Sequence, residues 1–530
     1  MTVQNALAQT DFYKYAHPNL AIDGVDRMYG NFTSRNGRLS NVPDNKEVVF
    51  VGLQYFIKDV LIGEWNETFF NVSKAIAIGS MKRIAEHCLG QPMYDTKPFE
   101  DLHDLGYLPL EIKALPEGVS VPYGVPPVTF VNTVDGFDWL EGFLETVFST
   151  ENWPIQTSAT TAKAYLKRTI EAFDAAGLPH DLVPFMCHDF SLRGCFGRHA
   201  GAMSGFGHLT SFAGTDTIPA ILFAEKYYNA NMETELVGAS VNATEHSIST
   251  TAIMTMVEEQ GISKLEAEVK FVQHLMKKAP TGILSHVSDS FDFWAFVTEG
   301  LPMLKDEILA RDGKLVIRPD SGNPVDILCG RVDVKKATDG KYYSEDDWTV
   351  DGGGYDMLRD NSTPVPIAEA KGLVQILGEM FGTTTSPTGL KLLHDNIGAI
   401  YGDSITLERQ DQIIKRLEAK GYAGMVVLGI GSYSYQYVTR DSHGSAVKST
   451  WALKDGKPVD VCKDPKTDSK KKSLKGLIRV ELEDGKYIAY DQQTPEQEQQ
   501  GELKTVFLNG KLMYETSLAE IRQRVKDSIK

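Results

Sequence analysis

Residues 314–324 read KLVIRPDSGNP: a short apolar run, then an arginine, a proline, an aspartate and a glycine turn. Leu315-Val316-Ile317 is too short for a helix and is closed by a turn, so it reads as a buried strand. Past it, Arg318 and Asp320 place a guanidinium and a carboxylate beside a tight turn. The first suits phosphate oxygens; the second suits sugar hydroxyls or Mg²⁺. The same arrangement recurs on both sides. VPFMCHDF (183–190) ends in Asp189 and Phe190, and TSFAGTDT (210–217) reaches Asp216 before a helical stretch, Ile218–Tyr228. TGILSHVSDS (281–290) ends in Ser288 and Asp289 before helical Phe291–Leu309. NIGAIYGDS (396–404) closes on Gly402 and Asp403 before helical Thr406–Lys420, and GMVVLGIGS (424–432) on Gly429, Gly431 and Ser432.

Short strands alternating with helices argue for parallel βα units, and in a (β/α) barrel the C-terminal ends of the strands form the functional rim. One polar turn after a strand means little. Six in succession, built from Arg, Asp and Gly, mark a rim suited to phosphates and a metal ion. The expected fold is α/β: an irregular (β/α) barrel-like domain over 151–440, plus a mixed α+β domain built from 1–150 with 441–530. Within the first part we expect a strand at Val48–Phe50, helices at Leu53–Ile62 and Val72–His87, and an extended Pro-rich stretch over 110–127. Ser158–Ala175 is patterned as an amphipathic helix. Residues 330–361 read as a hairpin-bearing surface insertion. After 445, Val447–Leu453, Gly476–Glu483 and Lys486–Tyr490 read as strands of a small sheet. Val506–Asn509 and a last helix near Ser517–Ile529 follow.

Composition narrows the function. The chain has 530 residues, 42% hydrophobic, with a net charge of −17. That charge disfavours general binding to nucleic acid or to an anionic membrane, so phosphates must be met in a local pocket. Five cysteines at irregular spacing fit reduced thiols in a cytoplasmic enzyme better than a disulfide framework. No signal-peptide pattern opens the chain, and no apolar run is long enough to span a membrane.

Three further segments carry chemistry-bearing residues. SVNATEHS (240–247) opens a helical stretch with Glu245 and His246, a base, metal ligand or nucleophile beside a carboxylate. Cys187, His188, Cys195 and His199 match no common zinc spacing. KDPKTDSKKKSLKG (463–476) holds six lysines and two aspartates, a basic run in an acidic chain.

Taken in order, these segments resemble the type II phosphoribosyltransferases of the nicotinate/nicotinamide phosphoribosyltransferase family. The matching residues are Thr10-Asp11-Phe12-Tyr13-Lys14, DFSLRG (189–194), GTDT (214–217), SVNATEHS (240–247), SHVSDSFD (285–292), IRPDSGNP (317–324) and YGDSIT (401–406). Thr439-Arg440-Asp441, Lys448, Lys463-Asp464-Pro465 and VFLNGKL (506–512) complete the set.

The resemblance implies transfer of a phosphoribosyl group from phosphoribosyl pyrophosphate to nicotinamide, giving nicotinamide mononucleotide and pyrophosphate for NAD biosynthesis. Mg²⁺ would assist, and ATP hydrolysis would be coupled through a phosphohistidine. It implies His246 as that histidine, beside Glu245, with Asp289 and Asp320 near the ribose, Mg²⁺ or His246. Phe190 and, from a partner subunit, Tyr13 would stack on the nicotinamide ring, with Asp216 accepting from the carboxamide and Arg318 and Ser285 nearby. Arg193, Arg318, Gly402, Asp403, Gly431 and Ser432 would cradle ribose and phosphate. Arg35, Arg440, Lys448, Lys463 and Lys471 would bind phosphates, largely across a homodimer interface. Ser432 stands where the family pattern has a glycine-type residue. Asp216 favours an amide over a carboxylate: at about 4 Å the repulsion is on the order of 4 kcal/mol at an effective dielectric of 20. Two other readings stand beside this one: the same fold acting on nicotinate, and a non-catalytic binder of phosphosugars or nucleotides.

Overall fold

The computed structural model describes residues 5–89, 95–350, 356–402, 404–463 and 473–529. Its centre is a parallel sheet of six strands: Cys187–Asp189, Val427–Ile430, Ile397–Tyr401, Asp312–Arg318, Thr281–Val287 and Asn242–Ala243, in that spatial order. Five of the six expected strands form, TSFAGTDT contributes only bridges, and SVNATEHS supplies a strand of its own: Asn242–Ala243 pairs with Leu284–Ser285 before the helix begins. Two parallel bridges close the ring, Asp189 to Thr215 and Gly214 to Ala239. Thr215 N donates to Ala239 O at 2.9 Å, and Ala239 N to Ala213 O at 2.7 Å. The sheet is therefore an irregular barrel whose shortest strands are little more than bridges. The C-terminal halves of its central strands are buried, as helix-covered parallel strands must be; Leu284, Val287, Leu315 and Ile317 are at most 3% exposed.

A second sheet has seven antiparallel strands in the order Lys457–Asp460, Ala446–Lys454, Val25–Thr33, Val128–Asn132, Leu110–Ala114, Lys504–Leu508 and Lys511–Leu512. Strands from both ends of the chain thus share one sheet. The expected small C-terminal sheet does not form. The Ala446–Lys454 and Lys504–Leu508 strands join this larger one, and only Leu477–Glu483 and Lys486–Gln493 stand apart as a hairpin. The last helix, Leu518–Asp527, packs Leu518, Ile521 and Val525 into the barrel core. From the same helix the half-buried Arg522 guanidinium donates to the carbonyls of Leu209, Phe212, Leu236 and Val237, next to the segments that close the barrel.

The helix expected over Ser158–Ala175 is far longer, Trp139–Ala176, and carries Pro154 in its interior. Its 38 residues span about 57 Å at 1.5 Å per residue. Its first turns, with Trp139, Phe143 and Phe148, belong to the core beneath the antiparallel sheet. Its later turns, with Ile155, Tyr165 and Phe173, belong to the barrel core. Tertiary packing at both ends overrides the local cost of proline. The 330–361 insertion carries two hairpins, Val334–Lys336 with Tyr342–Ser344 and Trp348–Val350 with Asp356–Leu358.

The long helix meets Arg198–Leu209 closely because Gly207 has no side chain. A Cβ there would fall onto Ser158 Oγ and lie 2.8 Å from Ala159 N and 3.0 Å from Ile155 O. Backbone atoms cannot swing aside. Gly207→Ala is expected to destabilise the protein by about 1–3 kcal/mol, read as a lowered midpoint in denaturant unfolding.

Candidate active site

Every strand of the barrel delivers its polar residues to the same rim. The Thr281–Val287 strand ends in Ser288 and Asp289, and Asp289 spends both oxygens inside the protein. Oδ1 accepts from His246 Nε2 at 2.9 Å, and Oδ2 accepts from the backbone N–H of Asp320 at 3.1 Å. Three loops are thereby tied together: those bearing His246, Asp289 and Asp320. The Asp289 side chain is 5% exposed, whereas that of His246 is 47% exposed. His246 is the first residue of the His246–Gln260 helix. The Glu245 carboxylate does not cap that helix; it accepts from Ser247 Oγ.

Arg318 ends the Asp312–Arg318 strand and lies among charges. Burial pushes its guanidinium down from the ordinary value; Asp320, Asp216 and Asp289 pull it back up, and Arg193 opposes them. Arg193, Asp216, Asp289, Asp320 and Arg318 thus share a common electrostatic field. Arg318 Nη2 donates to Thr244 O at 2.6 Å, while its buried Nε has no hydrogen-bond partner. Ser285 Oγ, on the neighbouring strand, is likewise buried and unsatisfied. Orphaned polar atoms at such a rim are what a polar ligand would satisfy.

Asp216 and Phe190 stand together across the ring. Asp216 Oδ1 accepts from His188 Nε2 at 2.9 Å and from Ser240 Oγ. Burial alone would raise the Asp216 carboxyl. The hydrogen bonds from His188 and Ser240, with the charges of His188 and Arg318, outweigh it and hold Asp216 below its ordinary value. The His188 ring also stacks on Phe190, centroids 4.5 Å apart and planes at 30°. His188 therefore supports both an acceptor and an aromatic face. In the sequence His188 stands out only as a zinc ligand of no common spacing, and Ser240 only as the first residue of SVNATEHS (240–247). Their strand-end positions were visible; their partner was not. Cys195 and His199 take other partners, Ser191 O and Glu151 with Tyr55, and no cluster of three or more metal-ligating side chains occurs among the described residues.

The glycines serve close approach. A Cβ on Gly402 would fall on Asp320 Oδ1, and one on Gly194 would fall on Ser432 Oγ. Ser432, in the place of a glycine-type residue, is thus accommodated by Gly194. Gly431 is buried at the end of Val427–Ile430. Asp403 and Lys471 lie outside the described residues.

The other predicted residues gather elsewhere, around Lys448 of the antiparallel sheet. Burial lowers the Lys448 ammonium, Glu145 raises it, and Arg35, Lys463 and Arg440 lower it further. Glu145 in turn pairs with buried Lys14 at 2.9 Å and acts on the neighbouring Tyr13, whose ring is 61% exposed. Arg35, Tyr13, Arg440, Lys448 and Lys463 thus form a second group. Among the described residues no hydrogen bond or ion pair links it to His246, Asp289 or Arg318.

The sequence matches the nicotinate phosphoribosyltransferase (NAPRTase) family over residues 185–511. A nicotinamide phosphoribosyltransferase of Acinetobacter baylyi is 43% identical over 535 aligned positions, covering 99% of this chain and 98% of that protein. One of Xanthomonas campestris pv. campestris is 28% identical, covering 98% of each. A crystal structure of nicotinate-nucleotide pyrophosphorylase from Pyrococcus furiosus shares the fold, with a TM-score of 0.52 at 14% identity, over 99% of this chain and 95% of that one.

The clamp on Asp216 makes a direct prediction. Because its folded value lies below the ordinary one, ionised Asp216 favours the folded state at neutral pH. That contribution is lost only as pH falls through the folded value. Titration of the Asp216 carboxyl by ¹³C NMR should give a midpoint below the ordinary carboxylate range, and His188→Phe should raise it.

Proposed function

The chain belongs to the nicotinate phosphoribosyltransferase family, and on that premise we propose that it transfers the phosphoribosyl group of phosphoribosyl pyrophosphate to nicotinamide. The products are nicotinamide mononucleotide and pyrophosphate, which makes it a pentosyltransferase of NAD biosynthesis. The observation that carries the choice of base is Asp216, held ionised by His188 and Ser240 within one cluster with Phe190. A carboxylate accepts from the amide NH₂ and repels a carboxylate base. Phe190 offers one face to His188 and keeps the other for the base.

Displacement of pyrophosphate at C1 passes through a state with oxocarbenium character. The carboxylates of Asp289 and Asp320 stabilise it, and the guanidiniums of Arg193 and Arg318 stabilise the departing anion. Mg²⁺ fits this site as an ion carried in with the phosphates. Asp320, exposed at the rim, is a carboxylate that would meet the ion, which would neutralise charge on the leaving group.

His246 is read as the phosphoacceptor for ATP. Nε2–H donates to Asp289, so Nδ1 carries the free lone pair. That pair attacks the γ-phosphorus, the bond to ADP breaks, and the Nε2 proton stays shared with Asp289. The new phosphoryl charge then tunes the site without touching the sugar. A cytoplasmic location fits the free cysteines.

The basic group with Tyr13 completes the site in trans. A homodimer supplies it, one protomer's Arg35, Arg440, Lys448, Lys463 and Tyr13 facing the partner's rim. Support comes from exposed aromatics beside the rim. Phe196 is 88% exposed, and Tyr433 stacks on Tyr437 with both more than 60% exposed.

Two experiments test this reading. With equal nicotinamide and nicotinate, the wild type should make nicotinamide mononucleotide, and Asp216→Asn should raise the nicotinate share. The Asp216 side chain is 46% exposed, so solvent screening trims the gain to about 10–100-fold; nicotinate mononucleotide from the wild type would overturn the role of Asp216. Mixing inactive Arg318→Ala with inactive Lys448→Ala should restore about a quarter of the sites if they are shared between protomers; no recovery would mean that each chain builds its site alone.

A further inference from the structure

The His246 ring is half exposed and starts a helix that its neighbouring Glu245 carboxylate does not cap. Besides its bond to Asp289, it is anchored by what precedes it in the chain, Thr244. Thr244 is 5% exposed and uses every polar group it has. Its N–H donates to Ser285 O at 3.0 Å, and its carbonyl accepts from Arg318. Its Oγ1 accepts from Val287 N–H at 3.0 Å and faces His286 Nδ1 at 3.4 Å. His286 is fully buried, and its Nε2 meets Glu268 Oε1 at 3.1 Å. Glu268 lies on the Lys264–Lys278 helix and is 2% exposed. Residues Ala267 and Phe271 of that helix pack on Ile253 of the helix that His246 opens.

The polar pair sits in an apolar setting. The edges of Phe271 and Phe296 lie against His286, with centroids 5.9 and 5.5 Å away. A buried polar pair of this kind is weak evidence for stability, since well-packed apolar residues hold such a layer as well or better. What a hydrogen-bonded pair supplies and apolar residues do not is a fixed register between helix, strand and loop.

We propose that Glu268 and His286 are positioning residues for His246. Glu268 fixes the His286 ring, the ring fixes the Thr244 hydroxyl, and Thr244 delivers the next two residues so that His246 Nε2 meets Asp289 and Nδ1 faces outward. The proposal rests on the reading of His246 as phosphoacceptor. Neither residue touches substrate, so their effect is on the rate of phosphoryl transfer to His246, with ATP binding and ATP-independent synthesis left in place.

The test uses the full-length protein and γ-labelled ATP, following acid-labile, base-stable label on the protein. In Glu268→Leu/His286→Phe the apolar layer is refilled. Its unfolding midpoint and its ATP-independent synthesis should stay near wild type, as should the KM for ATP. Its labelling rate should fall about 10–100-fold, and Glu268→Gln, which keeps an acceptor for His286, should recover most of it. Labelling at the wild-type rate would reduce the pair to packing and overturn the proposal. An equal fall of labelling and ATP-independent synthesis in a folded variant would overturn it too, by assigning the pair to the barrel as a whole. If the double variant does not fold, Thr244→Val carries the same labelling test. A wild type that synthesises mononucleotide yet takes no label would refute the phosphoacceptor reading itself, a result distinct from failure of the pair.

Discussion

Parallel pairing is the constraint on which the rest of this structure depends. A parallel strand cannot turn back on its neighbour; the chain must cross over and re-enter from the same end. Every segment that leaves the barrel therefore leaves from one edge. Phe190, Asp216, His246, Asp289, Arg318, Gly402 and Ser432 come from seven separate stretches between 187 and 432, and each follows a barrel strand or bridge. The barrel needs very little β-structure to achieve this. Two bridges, Asp189 to Thr215 and Gly214 to Ala239, close it, and the Arg522 guanidinium ties down carbonyls beside both.

Charge at the rim is balanced by geometry rather than by simple pairing. Arg318 is surrounded by Asp216, Asp289 and Asp320, yet its hydrogen bond goes to a backbone carbonyl. Asp289 is given over to His246 and a backbone N–H, and Asp216 to His188 and Ser240. Carboxylates held in this way cannot collapse onto the arginine, which leaves it available to an anion. Preorganisation of this kind is what electrostatic catalysis requires: the cost of arranging the dipoles is met during folding.

The second sheet has a different task. It gathers basic side chains onto a half-buried surface of an otherwise acidic chain, and the Trp139–Ala176 helix joins the core beneath it to that of the barrel. With one helix shared between two cores, the two groups of functional residues sit on a common rigid support. A composite site of the kind proposed would need that rigidity, because a phosphate gripped from two sides tolerates little misplacement.

The sequence was legible where local chemistry decides. The apolar runs ending at Asp216, Asp289, Arg318 and Gly402 announced strands and a polar rim, and the ordered motifs were specific enough to place the chain in its family. It was not legible where partners lie far apart in the chain. His188 is 28 positions from Asp216, and Glu268 reaches Thr244 only through His286 on another strand. Ser158–Ala175 covers only the later turns of the Trp139–Ala176 helix, whose interior Pro154 is a local stop signal that packing at both ends overrides. The C-terminal strands were assigned to a small sheet of their own because nothing in 446–454 announces that its neighbour is 25–33. By itself the sequence determined which residues could do chemistry and at which strand ends they stand, because strand and turn propensities act over a few residues. Only the tertiary structure decided which of them meet, because burial and hydrogen-bond satisfaction are settled among segments that are distant in the chain.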